Sequence, residues 1–238
     1  MAGKIEMSAG GINDVQRNIK KILNCRNSNT RREKQCLAEL ISRYLASGKE
    51  LPDVVFDLLY SEKVRELSDM HWTPIATVIQ ALDFLPKENK LRILDVGSGV
   101  GKFCIVGALC SKHNFFGIEQ RDYLVKEAES IKGIFPSARI VFRNGDALDY
   151  DWSKFDVLYF FNPFYLSNDP SERIDNSLPF GTRPFFQSVK KTKIRLKGVP
   201  IGTLVLTYYG YGSKMPPCFK LRKFQRCHSG ELALWEKT

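Results

Sequence analysis

The spacing of hydrophobic and polar positions changes near residue 90. Before that point, apolar residues recur three and four positions apart in segments 15–23 and 36–45, a spacing typical of amphipathic helices. Two further candidate helices, 52–59 and 74–85, each open with a proline. Proline suits the first turn of a helix because its missing N–H would be unpaired there anyway. We therefore predict that residues 1–70 form a helical N-terminal cap.

Beyond residue 90, short apolar runs typical of buried strands alternate with helical segments. A strand–helix–strand order at this spacing indicates a doubly wound sheet, and the last two runs, with little between them, predict an antiparallel hairpin. We predict an α/β fold with a mostly parallel seven-stranded sheet in a domain spanning 71–238. The predicted strands are 91–96, 115–119, 140–142, 155–161, 203–207, 221–226 and 231–236, and the predicted helices between the first three are 102–110 and 122–132.

The net charge of +10 is distributed unevenly along the chain. Residues 1–50 hold ten Lys/Arg against five Asp/Glu, residues 51–184 hold fifteen against nineteen, and residues 185–238 hold eleven against two. Basic ends permit attraction to nucleic acid or another polyanion, but they fit a solvated basic surface equally well. Charge alone therefore does not select a partner.

Other features of composition narrow the class of protein. The sequence contains neither the roughly 18 consecutive apolar residues of a membrane span nor the apolar run of a secretory signal, which predicts a cytoplasmic protein with no membrane partner. The six cysteines and three histidines lack the paired spacing of metal ligands, so we predict reduced thiols and no metal site.

The segment LRILDVGSGVGK carries the strongest chemical signal. In it, an apolar strand leads to Asp95 and then to Gly97, Gly99 and Gly101 before a helix. Such glycines let the backbone turn sharply and approach a ligand closely. Because Lys102 stands where the last glycine of a dinucleotide fingerprint would be, the spacing argues against that class, and it does not fit a P-loop. Asp95 would repel phosphates, but it could accept a hydrogen bond from the ammonium of a methionine-like ligand.

Two further acids follow the next strands. Glu119 ends the second strand about 20 residues after the glycine turn, where an acid can accept hydrogen bonds from both hydroxyls of a ribose. Asp146, in RNGDAL after the third strand, could accept from an adenine amino group, with the backbone N–H of Ala147 reaching the ring. A helix N-cap or turn aspartate is the alternative interpretation of Asp146.

Together these three motifs resemble the class I S-adenosylmethionine-dependent methyltransferases over roughly residues 70–210. In that family the glycine loop holds the methionyl part of the cofactor, and the acids after the second and third strands hold the ribose and the adenine. The resemblance implies those roles for the matching residues and implies S-adenosylmethionine as the cofactor. A redox or dinucleotide enzyme of the same fold is the competing interpretation, and the glycine spacing disfavours it.

The fourth strand ends in Asn162-Pro163-Phe164-Tyr165, at the crevice where such folds bind ligands. The Asn side chain and the Pro carbonyl could accept hydrogen bonds from an amine, and the aromatic rings could form a channel wall. The segment is similar to the Asn-Pro-Pro-Tyr/Phe signature of enzymes that methylate amino groups of adenine, cytosine or glutamine, although it has one proline instead of two. An ordinary strand end with packing aromatics is the alternative.

A narrower resemblance links DVGSGVG, GIEQ, GDALDYDW and FFNPF to the histone lysine methyltransferases of the disruptor-of-telomeric-silencing family. It implies that Asn162 and Phe164 lie beside a lysine channel and that Thr73, in MHWTP, contacts the cofactor. The sequence departs from that family because it lacks the Tyr-Gly-Glu of the loop before the glycine strand, and because Pro163 replaces a polar residue.

We therefore predict an enzyme that transfers a methyl group from S-adenosylmethionine to an amine nitrogen, with a protein lysine as the leading acceptor. A nucleic-acid base or a small-molecule amine is the alternative acceptor, and an inactive cofactor-binding partner protein is a third interpretation. The oligomeric state is not predicted. The predicted catalytic residues are Asn162, Phe164 and Tyr165. The predicted cofactor-binding residues are Thr73, Asp95, Gly97, Ser98, Gly99, Gly101, Glu119, Gln120, Asp146, Ala147 and Asn162.

Overall fold

The computed structural model describes residues 31–48, 51–164, 172–227 and 230–238. The helices are α1 Arg31–Ala46, α2 Asp53–Asp57, α3 Glu62–Arg65, α4 Ser68–His71, α5 Ile75–Phe84, α6 Lys102–Cys110, α7 Asp122–Lys132 and α8 Thr182–Gly198. The strands are β1 Arg92–Val96, β2 Asn114–Glu119, β3 Ile140–Asn144, β4 Val157–Phe161, β5 Leu204–Tyr208, β6 Phe219–Cys227 and β7 Gly230–Lys237. Two short 3-10 helices, Ala147–Asp149 and Trp152–Lys154, lie between β3 and β4.

The seven strands form one sheet in the order β3-β2-β1-β4-β5-β7-β6. Strands β1 to β5 pair in parallel, whereas β7 is antiparallel to both β5 and β6. The strand order reverses between β1 and β4, where the connections leave toward opposite sides of the sheet. In open α/β sheets a crevice opens at that switch point, beyond the carboxyl ends of the strands, and ligands bind there.

Two hydrophobic clusters cover the two faces of the sheet. On one face, α1 packs through Leu37, Ile41 and Leu45, which recur every four residues and are buried, in a cluster shared with α5, α6 and α7. On the other face, Val189 and Leu196 of α8 pack with Trp152 and apolar strand residues. The core thus supports the strand ends from both sides.

The structure confirms the predicted mostly parallel seven-stranded sheet behind helical N-terminal residues. Helices α6 and α7 have the predicted bounds, and each strand lies within a few residues of its predicted position. The predicted helix 15–23 lies outside the described residues. No described helix has both the length and the apolar character needed to span a bilayer.

Candidate functional site

A cavity of about 1010 Å³ opens at the carboxyl ends of the parallel strands, a volume at the upper end of the range of small-molecule sites. Its walls come from the loops after β1 to β5, from the region of α4 and from the start of α8. Seven of the predicted site residues line it, namely Gly97, Gly99, Glu119, Gln120, Asp146, Asn162 and Phe164. The fold therefore brings most of the predicted site to one place.

The glycine turn is tight enough to exclude larger residues. Gly99 has φ +53°, and a Cβ built on it would lie 2.5 Å from Cζ3 of Trp72. Gly97 has φ +78°, and its Cβ would lie 3.1 Å from Cβ of Pro163. The turn therefore needs glycine for its backbone and for close contact with two other segments. Gly101 does not line the cavity, and a Cβ on it would collide with the Phe142 ring of β3.

Trp72 covers the glycine turn from the side of the N-terminal helices. Its ring is buried, and its indole Nε1 donates a hydrogen bond to the carbonyl oxygen of Val64 at 3.0 Å. The neighbouring His71 lines the cavity, and its pKa is lowered by burial and by the charge of Arg121, with Glu172 acting in the opposite direction. The His71–Trp72 segment thus lies over the predicted cofactor loop.

Glu119 is held at the cavity floor by several donors. Its Oε2 accepts from the backbone N–H of Gly99 at 3.1 Å, and its Oε1 accepts from the backbone N–H of Arg121 at 2.9 Å. The Arg121 guanidinium also contacts Oε1 at 3.3 Å and reaches Asp175 at 3.2 Å. Since a carboxylate oxygen can accept two hydrogen bonds, Oε2 retains capacity for a ligand hydroxyl.

Asp175 is an unpredicted acid at this edge of the cavity. Burial alone would raise the pKa of its carboxyl, but hydrogen bonds from Ser177 and the charge of Arg121 lower that pKa to about 2. The side chain is therefore ionised at neutral pH and holds Arg121 in place. No local pattern in the sequence indicates this contact, since it joins residues 54 positions apart.

Asp95 is buried beside the glycine turn and lines a smaller cavity of about 30 Å³ together with Thr73 and Ser98. His71, Trp72, Gly97 and Phe161 line both cavities, so the two are adjacent. The pKa of Asp95 is raised to about 7. Burial is the main cause of this rise, the hydrogen bond from the Cys104 thiol at 3.6 Å opposes it, and the charge of Glu119 adds to it.

This environment fits a cationic ligand group. A thiol is a weak donor, and a buried carboxylate is costly without stronger partners, so a neighbouring ammonium would stabilise Asp95. Thr73 has a different partner, because its Oγ1 lies 2.9 Å from the hydroxyl oxygen of Tyr159. Thr73 and Ser98 are placed in the smaller cavity and not in the larger one.

Asp146 caps the 3-10 helix that follows β3. Its Oδ1 accepts from the backbone N–H of Leu148 at 2.9 Å, which is the turn-aspartate role that the sequence left open. Oδ2 takes no part in this cap, and the residue lines the large cavity. Ala147 is buried and does not line the cavity.

The end of β4 has an unusual backbone. Asn162 has φ +36° and donates its backbone N–H to the carbonyl oxygen of Gly210 at 3.1 Å. At the end of the adjacent β5, Tyr209 has φ +58°. Positive φ is uncommon outside glycine, and it concentrates at functional sites. The two residues therefore form a strained pair on the cavity wall.

Aromatic rings surround Asn162. Phe161 lies 4.9 Å from Tyr208 and 6.0 Å from Tyr209 between ring centroids, and all three line the cavity together with Phe164. Tyr211 is buried instead, and its hydroxyl donates to the carbonyl oxygen of Lys214. Tyr165 lies outside the described residues.

The sequence prediction missed a buried ion-pair group next to the glycine turn. Lys102, the first residue of α6, places Nζ 2.6 Å from Asp53 and 2.7 Å from Asp57, and it donates to Ser68 at 3.3 Å. The two acids lie four residues apart, a helical spacing that places both carboxylates on one face of α2. That spacing was the available signal. Among the described residues, no group of three or more side chains is arranged to hold a metal ion.

The fold and the crevice at its switch point are those of α/β proteins that bind nucleoside-containing ligands. Residues 87–196 match the family model described as Methyltransferase domain. Together with the glycine turn and the acids that follow β2 and β3, this methyltransferase domain supports an S-adenosylmethionine-dependent methyltransferase with S-adenosylmethionine as the cofactor.

Solved structures support the fold. An RNA methyltransferase from Salinibacter ruber in complex with S-adenosyl-L-homocysteine has a TM-score of 0.51 and 21% identity, with 69% of this chain and 92% of that chain covered. The putative methyltransferase yhhF from Escherichia coli has a TM-score of 0.52 and 11% identity, with 71% and 88% covered. TrmN from Thermus thermophilus has a TM-score of 0.53 and 15% identity, with 73% and 52% covered.

No curated protein matches the sequence. The comparisons do not identify the disruptor-of-telomeric-silencing family, so that narrower assignment stays a prediction.

Proposed function

We propose that the enzyme methylates the exocyclic amine of a nucleobase in a nucleic acid, at the end of β4. The observation that carries this proposal is the juxtaposition of Asn162 and Pro163 with both the glycine turn and the aromatic rings that line the cavity. Pro163 lies against Gly97, so the Asn-Pro segment borders the predicted methionyl site. An amine held there would face the reactive end of the cofactor.

The chain's own residues fit the parts of the cofactor. Glu119 would accept hydrogen bonds from the ribose hydroxyls, Asp146 would accept from the adenine amino group through Oδ2, and Asp95 would pair with the ammonium. The open backbone at Gly97 and Gly99 admits the ligand at close range. When bound, S-adenosylmethionine supplies an electrophilic sulfonium methyl group.

The acceptor side would act mainly by orientation. The side-chain oxygen of Asn162 and the carbonyl oxygen of Pro163 would accept the two hydrogens of an amine, which directs the nitrogen lone pair toward the methyl group. Positive charge develops on that nitrogen during transfer, and both oxygens stabilise it. The proton that the product nitrogen loses can pass to solvent through the open cavity.

Two features favour a nucleobase as the acceptor. Tyr209, which is exposed, and Phe161 and Phe164, which are half-buried, provide faces on which a flipped or unpaired base can stack, a contact worth about 1–3 kcal/mol per base. Basic residues of α8 also border the cavity, as phosphate binding requires. The Salinibacter ruber neighbour is an RNA methyltransferase, which supports the same acceptor class.

A protein lysine, the acceptor that the sequence prediction placed first, is the second candidate. The observation that favours it is the presence of Asp69 and Glu172 in the cavity wall, since carboxylates attract a cationic side chain. The basic residues of α8 oppose it. We therefore rank it below the nucleobase.

The test uses matched oligonucleotides that differ only in the amine. Purified enzyme and S-adenosylmethionine are incubated with single-stranded oligonucleotides containing adenine or cytosine, and with the same sequences containing hypoxanthine or uracil. A basic peptide is run in parallel. The expected product, resolved by mass spectrometry of nucleosides, is adenine or cytosine methylated on the exocyclic nitrogen. Methylation of hypoxanthine or uracil, or of the peptide alone, would contradict the proposal.

A further inference from the structure

We propose that one face of α8 is a docking surface for single-stranded RNA that leads the strand into the cavity. We call this surface the basic helix face and define it by Arg183, Phe186, Lys190, Lys191, Ile194 and Lys197. The inference rests on the proposed function for its destination, the acceptor site, but binding can be measured without methyl transfer.

All the charged residues of α8 are basic. The helix contains six basic residues, Arg183, Lys190, Lys191, Lys193, Arg195 and Lys197, and no Asp or Glu. Arg195 donates to the backbone carbonyl of Leu148, and none of the ion pairs among the described residues includes a residue of α8. Positive charge that is not neutralised in ion pairs attracts a polyanion.

The geometry of the helix places this charge outward. Val189, Thr192 and Leu196 are buried against the sheet, so the residues on the opposite side are directed to solvent. Phe186, Lys190 and Ile194 recur every four residues and form one row along that side. At 1.5 Å rise per residue the row is about 12 Å long, which matches three or four stacked nucleotides.

Two of the three side chains in this row are large and apolar. Phe186 and Ile194 are each 62% exposed. The Phe186 ring packs edge-on against Phe185, with 5.4 Å between centroids, and Phe185 lines the cavity. An aromatic ring between basic residues, here Arg183 and Lys190, is the combination that binds unpaired bases and their phosphates.

The basic helix face is continuous with the acceptor site. Lys190, Lys191 and Ile194 line the large cavity, as do Asn162 and Tyr209. An RNA strand lying along α8 would thus have its phosphates near the lysines and its next base near the aromatic rings that line the cavity. The surface and the site are parts of one path.

The features of this surface select the occupant. A duplex turns its base faces inward and would leave Phe186 and Ile194 without partners, and an acidic peptide has no planar faces for the ring. Unpaired bases stacked on aromatic side chains are the usual mode of RNA recognition, whereas cellular DNA is chiefly duplex. Single-stranded RNA is therefore the partner that matches both the charge and the exposed rings.

The test measures binding of a fluorescently labelled single-stranded RNA 12-mer by anisotropy over a range of salt concentrations. The double variant Lys190→Gln/Lys191→Gln should lower the slope of log K against log salt by about 1.4, since each phosphate contact in a single strand contributes about 0.7. Phe186→Ala should weaken binding roughly fivefold or more. Thermal melting verifies that the variants fold.

The matched control is Lys126→Gln/Lys154→Gln, which removes two exposed lysines from other parts of the surface. Its salt slope should stay close to that of the wild type. The inference would be overturned if the salt slope of this control fell as much as that of Lys190→Gln/Lys191→Gln. It would also be overturned if the wild-type protein bound polyglutamate, duplex or single-stranded DNA as tightly as it binds the RNA. RNA binding that depends on the basic helix face, without methylation of any base, would refute the proposed function alone.

Discussion

Replacing Lys102 with methionine tests whether its ion pairs with α2 stabilise the packing of the N-terminal helices against the glycine turn. The Lys102 side chain is 2% exposed and lies between the Asp53 and Asp57 carboxylates of α2, immediately after the glycine turn. Methionine keeps a long unbranched side chain and removes the charge. Asp57, whose side chain is 7% exposed, then stays buried without its cation, whereas Asp53, at 34%, can rehydrate.

The expected cost follows from this difference in exposure. Removing one partner of a buried ion pair typically destabilises a protein by about 3–5 kcal/mol. Burial raises the pKa of Asp57 despite the opposing charge of Lys102, so in the variant the carboxyl can take up a proton and avoid part of the cost. We therefore expect a loss of about 3 kcal/mol at pH 7, or roughly 6–12 °C in Tm for a chain of this length.

Denaturant unfolding at pH 7 and pH 5 measures the effect. Because protonation of Asp57 relieves the unpaired charge, the deficit of Lys102→Met should be smaller at pH 5 than at pH 7. The control is Lys87→Met, which breaks an exposed 2.8 Å pair with Asp83 and should not change the unfolding free energy measurably. If Lys102→Met is as stable as the wild type, the buried ion pair does not hold α2 to the glycine turn.

Three further predictions concern the site. Burial raises the pKa of Asp95 to about 7, so the affinity for S-adenosylhomocysteine, measured by calorimetry, should fall about tenfold per pH unit below 7 and stay constant above it. Equal affinity from pH 5 to pH 8 would exclude the contact between Asp95 and the ammonium group. Gly99→Ala should reduce that affinity at least tenfold, because the new Cβ collides with Trp72. Gly202→Ala is the control, since Gly202 also has a positive φ but has open space around it, and it should not change the affinity. A similar loss in both variants would show that backbone strain alone is the cause. Asn162→Gly keeps the positive φ and removes the side-chain amide, so it should lower kcat at least tenfold and leave the cofactor affinity nearly unchanged. Loss of cofactor binding would show that Asn162 binds the cofactor and not the acceptor.

The sheet could be predicted because each strand is a short apolar run separated by a helix or a turn. Helices α6 and α7 were predicted with their observed bounds, since one begins at the glycine turn and the other at Asp122. Helix α8 was not among the predicted elements. Its buried stripe consists of only three residues, one of them a threonine, and its basic residues obscure the periodicity.

Local motifs led to the cofactor half of the site, because glycine turns and strand-end acids have fixed places in this fold. The remaining contacts depend on residues that are distant in sequence. Lys102 meets Asp53 from 49 positions away, and Trp72 reaches the glycine turn only because α3 and α4 fold back, with its indole bonded to Val64. Neither contact follows from spacing within one element.

The acceptor half was predicted less completely. Asn162 and Phe164 lie on the cavity wall as expected, but the positive φ of Asn162 and Tyr209 arises from the meeting of two strand ends. No propensity in the sequence indicates this geometry. The position of α8 at the cavity mouth also depends on the packing of its buried stripe, and it changes the balance between lysine and nucleobase acceptors.

Methylation of a nucleobase is tested by the transfer of tritium from methyl-labelled S-adenosylmethionine into a cell lysate, with wild-type enzyme and with Asn162→Gly. The labelled products are then divided between nuclease and protease digestion. We expect label that nuclease releases, that protease does not, and that Asn162→Gly fails to incorporate. Label released only by protease, or equal labelling by both proteins, would contradict this expectation.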